Sequence, residues 1–142
     1  MKPLVPIESA GEDGRMHERH LTTCQREAIF KGLSGRGSFK ATVVCMKDTP
    51  ETWVYADEFV EVLKESNWEA MGECSEVGDV GVWVGVSDLS RPAGADFLFK
   101  ALQDAGVDLT YDHVTTIPKG NVDGCWLEVG YERHSLRLSA RP

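Results

Sequence analysis

The sequence predicts an α+β fold: a ferredoxin-like β-α-β-β-α-β sandwich with a helix added before it and a strand added after it. Three observations predict this. Strand-type alternation and helix-type spacing follow one another as strand, helix, strand, and do so twice. The two passages share one grammar. Val43-Val44-Cys45-Met46-Lys47-Asp48 leads into Pro50 and a helix running to about Ser66, while Val84-Gly85-Val86-Ser87-Asp88 leads into Pro92 and a helix stopping at Gly106. The two aspartates lie 40 residues apart. Finally, Gly78-Asp79-Val80-Gly81 is a short connection between the second and third strands, which favours an antiparallel hairpin there. In that arrangement the first and third strands run side by side and parallel, and two helices cover one sheet face. The alternative is a mixed, three-layer α/β sheet with helices on both faces. The position of the first helix distinguishes them.

Residues 1–20 read as a flexible arm with Pro3, Pro6, Gly11 and Gly14 and no apolar period, most mobile over Ser9 to Arg15, and residues 21–142 as one α/β domain. Thr22-Thr23-Cys24-Gln25 has capping-box spacing, so a helix starts near Thr22, with Cys24, Ala28, Ile29 and Leu33 on one face. Phe39 to Met46 alternates as a strand. Thr49-Pro50-Glu51 opens the next helix, with a cap, a fixed φ and an acid at the positive end of the dipole. Its core stripe is Ala56, Phe59, Val60 and Leu63. Trp68 to Cys74 and Val82 to Ser87 are strands. A third helix after Arg91-Pro92 carries Ala95, Leu98, Leu102 and Ala105, with Gly106 past its end. Leu109 to Ile117 is a weaker strand, Gly120 to Gly124 a turn, and Cys125 to Tyr131 the last clear strand.

Composition narrows the function. Fifteen basic against 23 acidic residues give a net charge of −8, which phosphate backbones repel, and no basic run offsets it; nucleic acid is disfavoured as a partner. No apolar run approaches the roughly 18 residues of a membrane span, and the first residues lack a signal-peptide core, so no membrane partner and a cytoplasmic location are expected. Cys24, Cys45, Cys74 and Cys125 contain no C-x-x-C pair, which speaks against a zinc finger and for reduced core thiols.

The passages Asp48 to Ala56, Lys64 to Trp68, Gly81 to Val86 and Leu102 to Gly106, closing on Val129-Gly130, are similar to a loose group of small bacterial α/β domains of unknown function. Many in that group follow membrane-spanning helices as a soluble tail. The resemblance covers residues 21 to 132 and transfers no active-site residue.

The duplicated unit suggests a site. If the first and third strands were parallel neighbours, Lys47, Asp48, Ser87, Asp88 and Arg91 would share one sheet edge. Two helix N-termini would open there toward a small anionic ligand or nucleotide. Capping and turn formation are the competing roles for both aspartates. His17 and His20 form an H-x-x-H without a third metal ligand. Gly35-Arg36-Gly37 lacks the ending of a phosphate-binding loop and reads as a turn. No nucleophile, triad or cofactor motif is present; a small cysteine-dependent enzyme, with Cys125 or Cys45 beside a histidine, is the enzymatic alternative. Strand alternation puts Val44, Met46, Trp83 and Trp126 on the face away from the helices. An apolar open face needs a partner or a covering helix. The leading expectation is therefore a non-enzymatic, cofactor-free binding module that pairs with a second copy of itself.

Overall fold

A computed structural model describes residues 18–76, 78–87, 91–117 and 124–132. The element order is α1 (Thr23–Leu33), β1 (Lys40–Met46), α2 (Pro50–Glu65), β2 (Glu69–Ser75), β3 (Val82–Ser87), α3 (Ala93–Asp104), β4 (Thr115–Ile117) and β5 (Cys125–Val129). Local chemistry sets most of these boundaries. The Thr22 hydroxyl accepts the Gln25 N–H and the Gln25 side chain accepts the Thr22 N–H, so the expected capping box opens α1. Pro50 takes the first position of α2, but the Thr49 side chain makes no capping bond. Buried Thr52 fills that role differently: its hydroxyl accepts the Met46 N–H at 2.8 Å, and the indole N–H of Trp53 donates to Met46 O at 2.8 Å. The end of β1 is thereby tied into the first turn of α2. Gly106, at φ 77°, follows the end of α3 as the sequence suggests.

Among the described residues five strands form one mixed sheet in the order β2-β1-β5-β3-β4. β1 is parallel to β2 and to β5, β3 is parallel to β4, and β3 is antiparallel to β5. The α+β class holds, while the neighbours differ from the ferredoxin-like expectation. β2 and β3 run in opposite directions but do not touch, and β5 lies where β1 and β3 were expected to meet. The connection from Ser75 to Val82 is six residues long. It has to pass three strand spacings, about 14 Å, and six residues reach roughly 20 Å. A short connection thus fixes direction without fixing adjacency. The long strand expected over Leu109 to Ile117 shortens to β4, with Leu109 kept as an isolated bridge to Val82.

Both β-α-β units, β1-α2-β2 and β3-α3-β4, pack their helices on the same face. Ala41, Val43 and Cys45 of β1, Val82, Val84 and Val86 of β3, and Cys125, Leu127 and Val129 of β5 share one apolar core with Phe59, Leu63, Leu98 and Leu102 of the helices. α1 joins that side too: Ile29 and Leu33 are fully buried in the same core, and α1 lies across α3. The crossing is close because residue 32 is glycine; a Cβ there would sit 2.8 Å from Ala101 Cβ. Among the described residues no helix covers the opposite face, so the three-layer alternative is not the arrangement seen.

Of the expected arm, residues 1–17 lie outside the described residues. Its last part is anchored. Arg19 donates to Glu51 through Nε at 2.8 Å, Nη2 at 2.8 Å and its backbone N at 2.9 Å, and Nη2 also reaches Gly130 O at 2.6 Å. Its guanidinium lies over the Tyr55 ring at 4.8 Å. The Glu51 side chain is only 4% exposed.

Arg19→Met should lower stability by about 3 kcal/mol, because it leaves the Glu51 carboxylate buried and unpaired. Adding Glu51→Gln should recover part of that loss in urea unfolding; equal losses in the single and double variants would show that the pair is not coupled. Gly32→Leu should cost about 1–3 kcal/mol by forcing α1 away from α3, read as a lower melting temperature. An unchanged temperature would show that the crossing yields freely.

Candidate functional site

The strand registers fix what the helix-free face displays. Across the sheet, Val44 of β1 stands beside Glu128 of β5, and Glu128 beside Trp83 of β3. The next row contains Met71, Thr42, Trp126, Gly85 and Thr115. Val44, Met46, Trp83 and Trp126 therefore do lie on this face. Their exposure differs from that of an open apolar patch, because Val44 and Met46 are fully buried and the two tryptophans are half-buried. Among the described residues the most exposed large apolar side chain on the face is Met71, at 53%.

The unexpected residue is Glu128. It is a carboxylic acid on the central strand, 6% exposed, between two indoles. Trp83 Nε1 donates to its Oε2 at 2.9 Å, and the Asp79 backbone N–H donates to the same oxygen at 3.3 Å. The connection between β2 and β3 passes over this point. A Cβ on Gly78 would come within 2.9 Å of Glu128 Oε2 and 2.7 Å of Met46 Cε, so only glycine lets the chain lie this close. Tyr131 N donates to Asp79 O, and Gly81 N to Tyr131 O, which lashes the connection to the end of β5. Gly85 performs a similar service for Trp83: a Cβ there would lie 2.7 Å from the indole, which rests across it. Tyr111 meets Trp83 edge-on at 6.1 Å between ring centres and donates its hydroxyl to Asp79 Oδ2 at 3.0 Å.

Burial pushes the pKa of Glu128 up, against the lowering influence of the Trp83, Asp79 and Trp126 N–H groups; the Asp79 charge raises it further. The indole N–H of Trp126 is buried and finds no partner at hydrogen-bond geometry. The Tyr111 hydroxyl is also raised, first by its bond to Asp79. The niche thus combines a desolvated carboxyl, a lid of backbone and an aromatic rim.

The two halves of the expected anion site do not converge. β1 and β3 run in opposite directions, so Lys47 and Asp48, after β1, lie at the opposite end of the sheet from Ser87, at the end of β3. Asp88 is outside the described residues. Lys47 is exposed and pairs with Glu76 at 3.8 Å, Asp48 accepts the Thr49 hydroxyl at 3.0 Å, and Arg91 pairs with Asp96 at 2.7 Å. Ser87 is 5% exposed. The thiol alternative fares no better. Burial pushes Cys45 up to about 11, with its bond to Cys74 as the second cause, and pushes Cys125 up to about 12, whereas nucleophilic thiols are shifted down. Among the described residues no histidine bonds a thiol: His20 pairs with Glu58 at 2.6 Å and His113 with Asp112 at 2.9 Å. His17, half of the H-x-x-H, and His134 are outside the described residues. Among the described residues no three His, Cys, Asp or Glu side chains group closely enough to hold a metal ion, and no helix is long and apolar enough to cross a membrane.

No protein-family model, curated protein or solved structure matches this chain.

Glu128 has a measurable signature. Its folded pKa is raised, so the folded chain holds this proton more tightly than the unfolded chain. The stability it contributes is fully present below the unfolded carboxyl pKa of about 4.3 and is lost as pH rises through the folded value. Glu128→Gln should remove that fall. Urea midpoints of the two proteins measured from about pH 4 to about pH 8 should diverge, with the variant gaining on the wild type as pH rises. Parallel curves would exclude a raised pKa.

Proposed function

We propose that the chain is a non-enzymatic binding module that pairs with a second copy of itself through the helix-free face of its sheet. The observation that carries this reading is the placement of α1. It packs with α2 and α3 on one side, and on the other side the described residues leave half-buried Trp83 and Trp126 and exposed Met71. Large aromatic side chains at a half-open site are the usual anchors of an interface. The central row, Met71-Thr42-Trp126-Gly85-Thr115, runs across all five strands with no charged side chain. The charges stand to its sides: Glu69 and Glu73 are exposed toward the β2 margin.

Size and charge set the strength expected. A sheet about 24 Å wide and about 20 Å long offers roughly 500 Å² per partner, the low end for specific association. Two such subunits, each at net charge −8, also repel one another. The pair is therefore weak, concentration-dependent and strengthened by salt, which screens like charges.

Sedimentation equilibrium over roughly 1 μM to 1 mM tests this. A monomer–dimer transition in that range, moving to lower concentration as salt is added, is expected. Met71→Glu, at a site exposed enough for the monomer to tolerate it, should move the transition at least tenfold higher. A strictly monomeric protein at the highest concentration, or a dimer indifferent to Met71→Glu and to Trp126→Ala, would overturn the proposal.

A further inference from the structure

The four cysteines are free, and two of them face each other. Cys45 of β1 and Cys74 of β2 are directly opposed in the parallel register. Their Sγ atoms are 3.6 Å apart and share a hydrogen bond, and Cys45 Sγ also donates to Glu73 O at 3.4 Å. Adjacent strands hold opposed Cα atoms about 4.8 Å apart, inside the range that a disulfide spans, and the sulfurs need only turn toward each other to reach about 2.05 Å. The pair is asymmetric. Cys45 belongs to the apolar core, whereas Cys74 is exposed on the outermost strand. This is the arrangement of a reactive thiol with a resolving thiol behind it.

We propose that Cys45 and Cys74 form a reversible oxidation site that closes to a cross-strand disulfide when the exposed Cys74 meets a peroxide. The Cys74 thiolate attacks the peroxide. An S–O bond forms, the O–O bond breaks, and the departing hydroxide takes up a proton as water. Cys45 sulfur then attacks Cys74 sulfur. The S–S bond forms, the S–O bond breaks, and the hydroxide leaves with the Cys45 proton as a second water. The two thiols lose two electrons in total and hydrogen peroxide is reduced to two waters. Burial, which keeps Cys45 protonated in the resting state, makes it the resolving partner and leaves first attack to Cys74.

The test uses the full chain carrying Cys24→Ser, which removes the other exposed thiol. After hydrogen peroxide treatment, thiols counted under denaturing conditions should fall from three to one. Non-reducing peptide mapping should join the Cys45 and Cys74 peptides and leave Cys125 free, and a dithiol reductant should restore all three. In a further Cys74→Ser variant, exposed enough to fold normally, Cys45 should stay reduced under the same treatment. In Cys45→Ser, Cys74 should proceed to sulfinic acid. Irreversible oxidation of Cys74 with Cys45 still free in the parent, or a disulfide joining Cys74 residues of two molecules in place of the internal one, would overturn the proposal.

Discussion

The constraint on which the rest of the structure depends is the shared hand of the two β-α-β units. A parallel crossover is right-handed in nearly all proteins, because a twisted strand and a right-handed helix return to the sheet only that way. Two units of the same hand, placed side by side with their strands opposed, are related by a twofold axis normal to the sheet. That operation keeps both helices on one face. The order β2-β1-β5-β3-β4 has this symmetry, with β5 near the axis. β5 cannot itself obey the twofold, and it therefore pairs in parallel with β1 and antiparallel with β3. Its residues receive their neighbours from both halves, which is why the niche forms there and not at either repeat alone.

The same symmetry explains why the repeated aspartates do not cooperate. Equivalent residues of two units related by a twofold normal to the sheet lie at opposite ends of it. The resemblance between the passages ending at Asp48 and Asp88 is real in the sequence, and it is that equivalence which separates Lys47 from Ser87. A strand built for stability alone would place an apolar residue at position 128, since a buried carboxyl costs free energy even when it accepts two N–H bonds. Glu128, the glycine above it and the indole beside it form a coordinated set, with Gly78 and Gly85 each giving up a side chain to admit a neighbour.

Most elements were legible because their signals are local. The Thr22 capping box, Pro50 at the start of α2 and Gly106 after α3 each act over four or fewer residues, and each appears where expected. The α+β class was legible for the same reason. Strand adjacency was not. The inserted strand β5 comes from the far end of the chain, and nothing near Gly78 announces that two strands lie between β2 and β3. The face carrying Trp83 and Trp126 could be read from alternation, but the burial of Val44 and Met46 on it could not, because the connection over Met46 follows from topology. Glu128 carried one weak signal, a lone acid in the run Cys125-Trp126-Leu127-Glu128-Val129. Alternation alone reads such an acid as a solvated one.

The sheet's two edges bear on how a second copy can approach. An unpaired edge invites another strand, and proteins discourage this with short strands and charged side chains. β4 is three residues long, and β2 carries Glu69 and Glu73, both exposed. In an edge-to-edge pairing of two β2 strands, these acids would be brought within a strand spacing of their counterparts, where like charges destabilise. Pairing through the faces avoids that. In the proposed pairing the uncharged central row would meet its copy while the glutamates stayed at the margin, in water, and the half-buried indoles would lose their remaining exposure. Charge on β2 and the shortness of β4 thus work against edge pairing among the described strands, which is the physical ground for proposing the helix-free face as the surface for a partner.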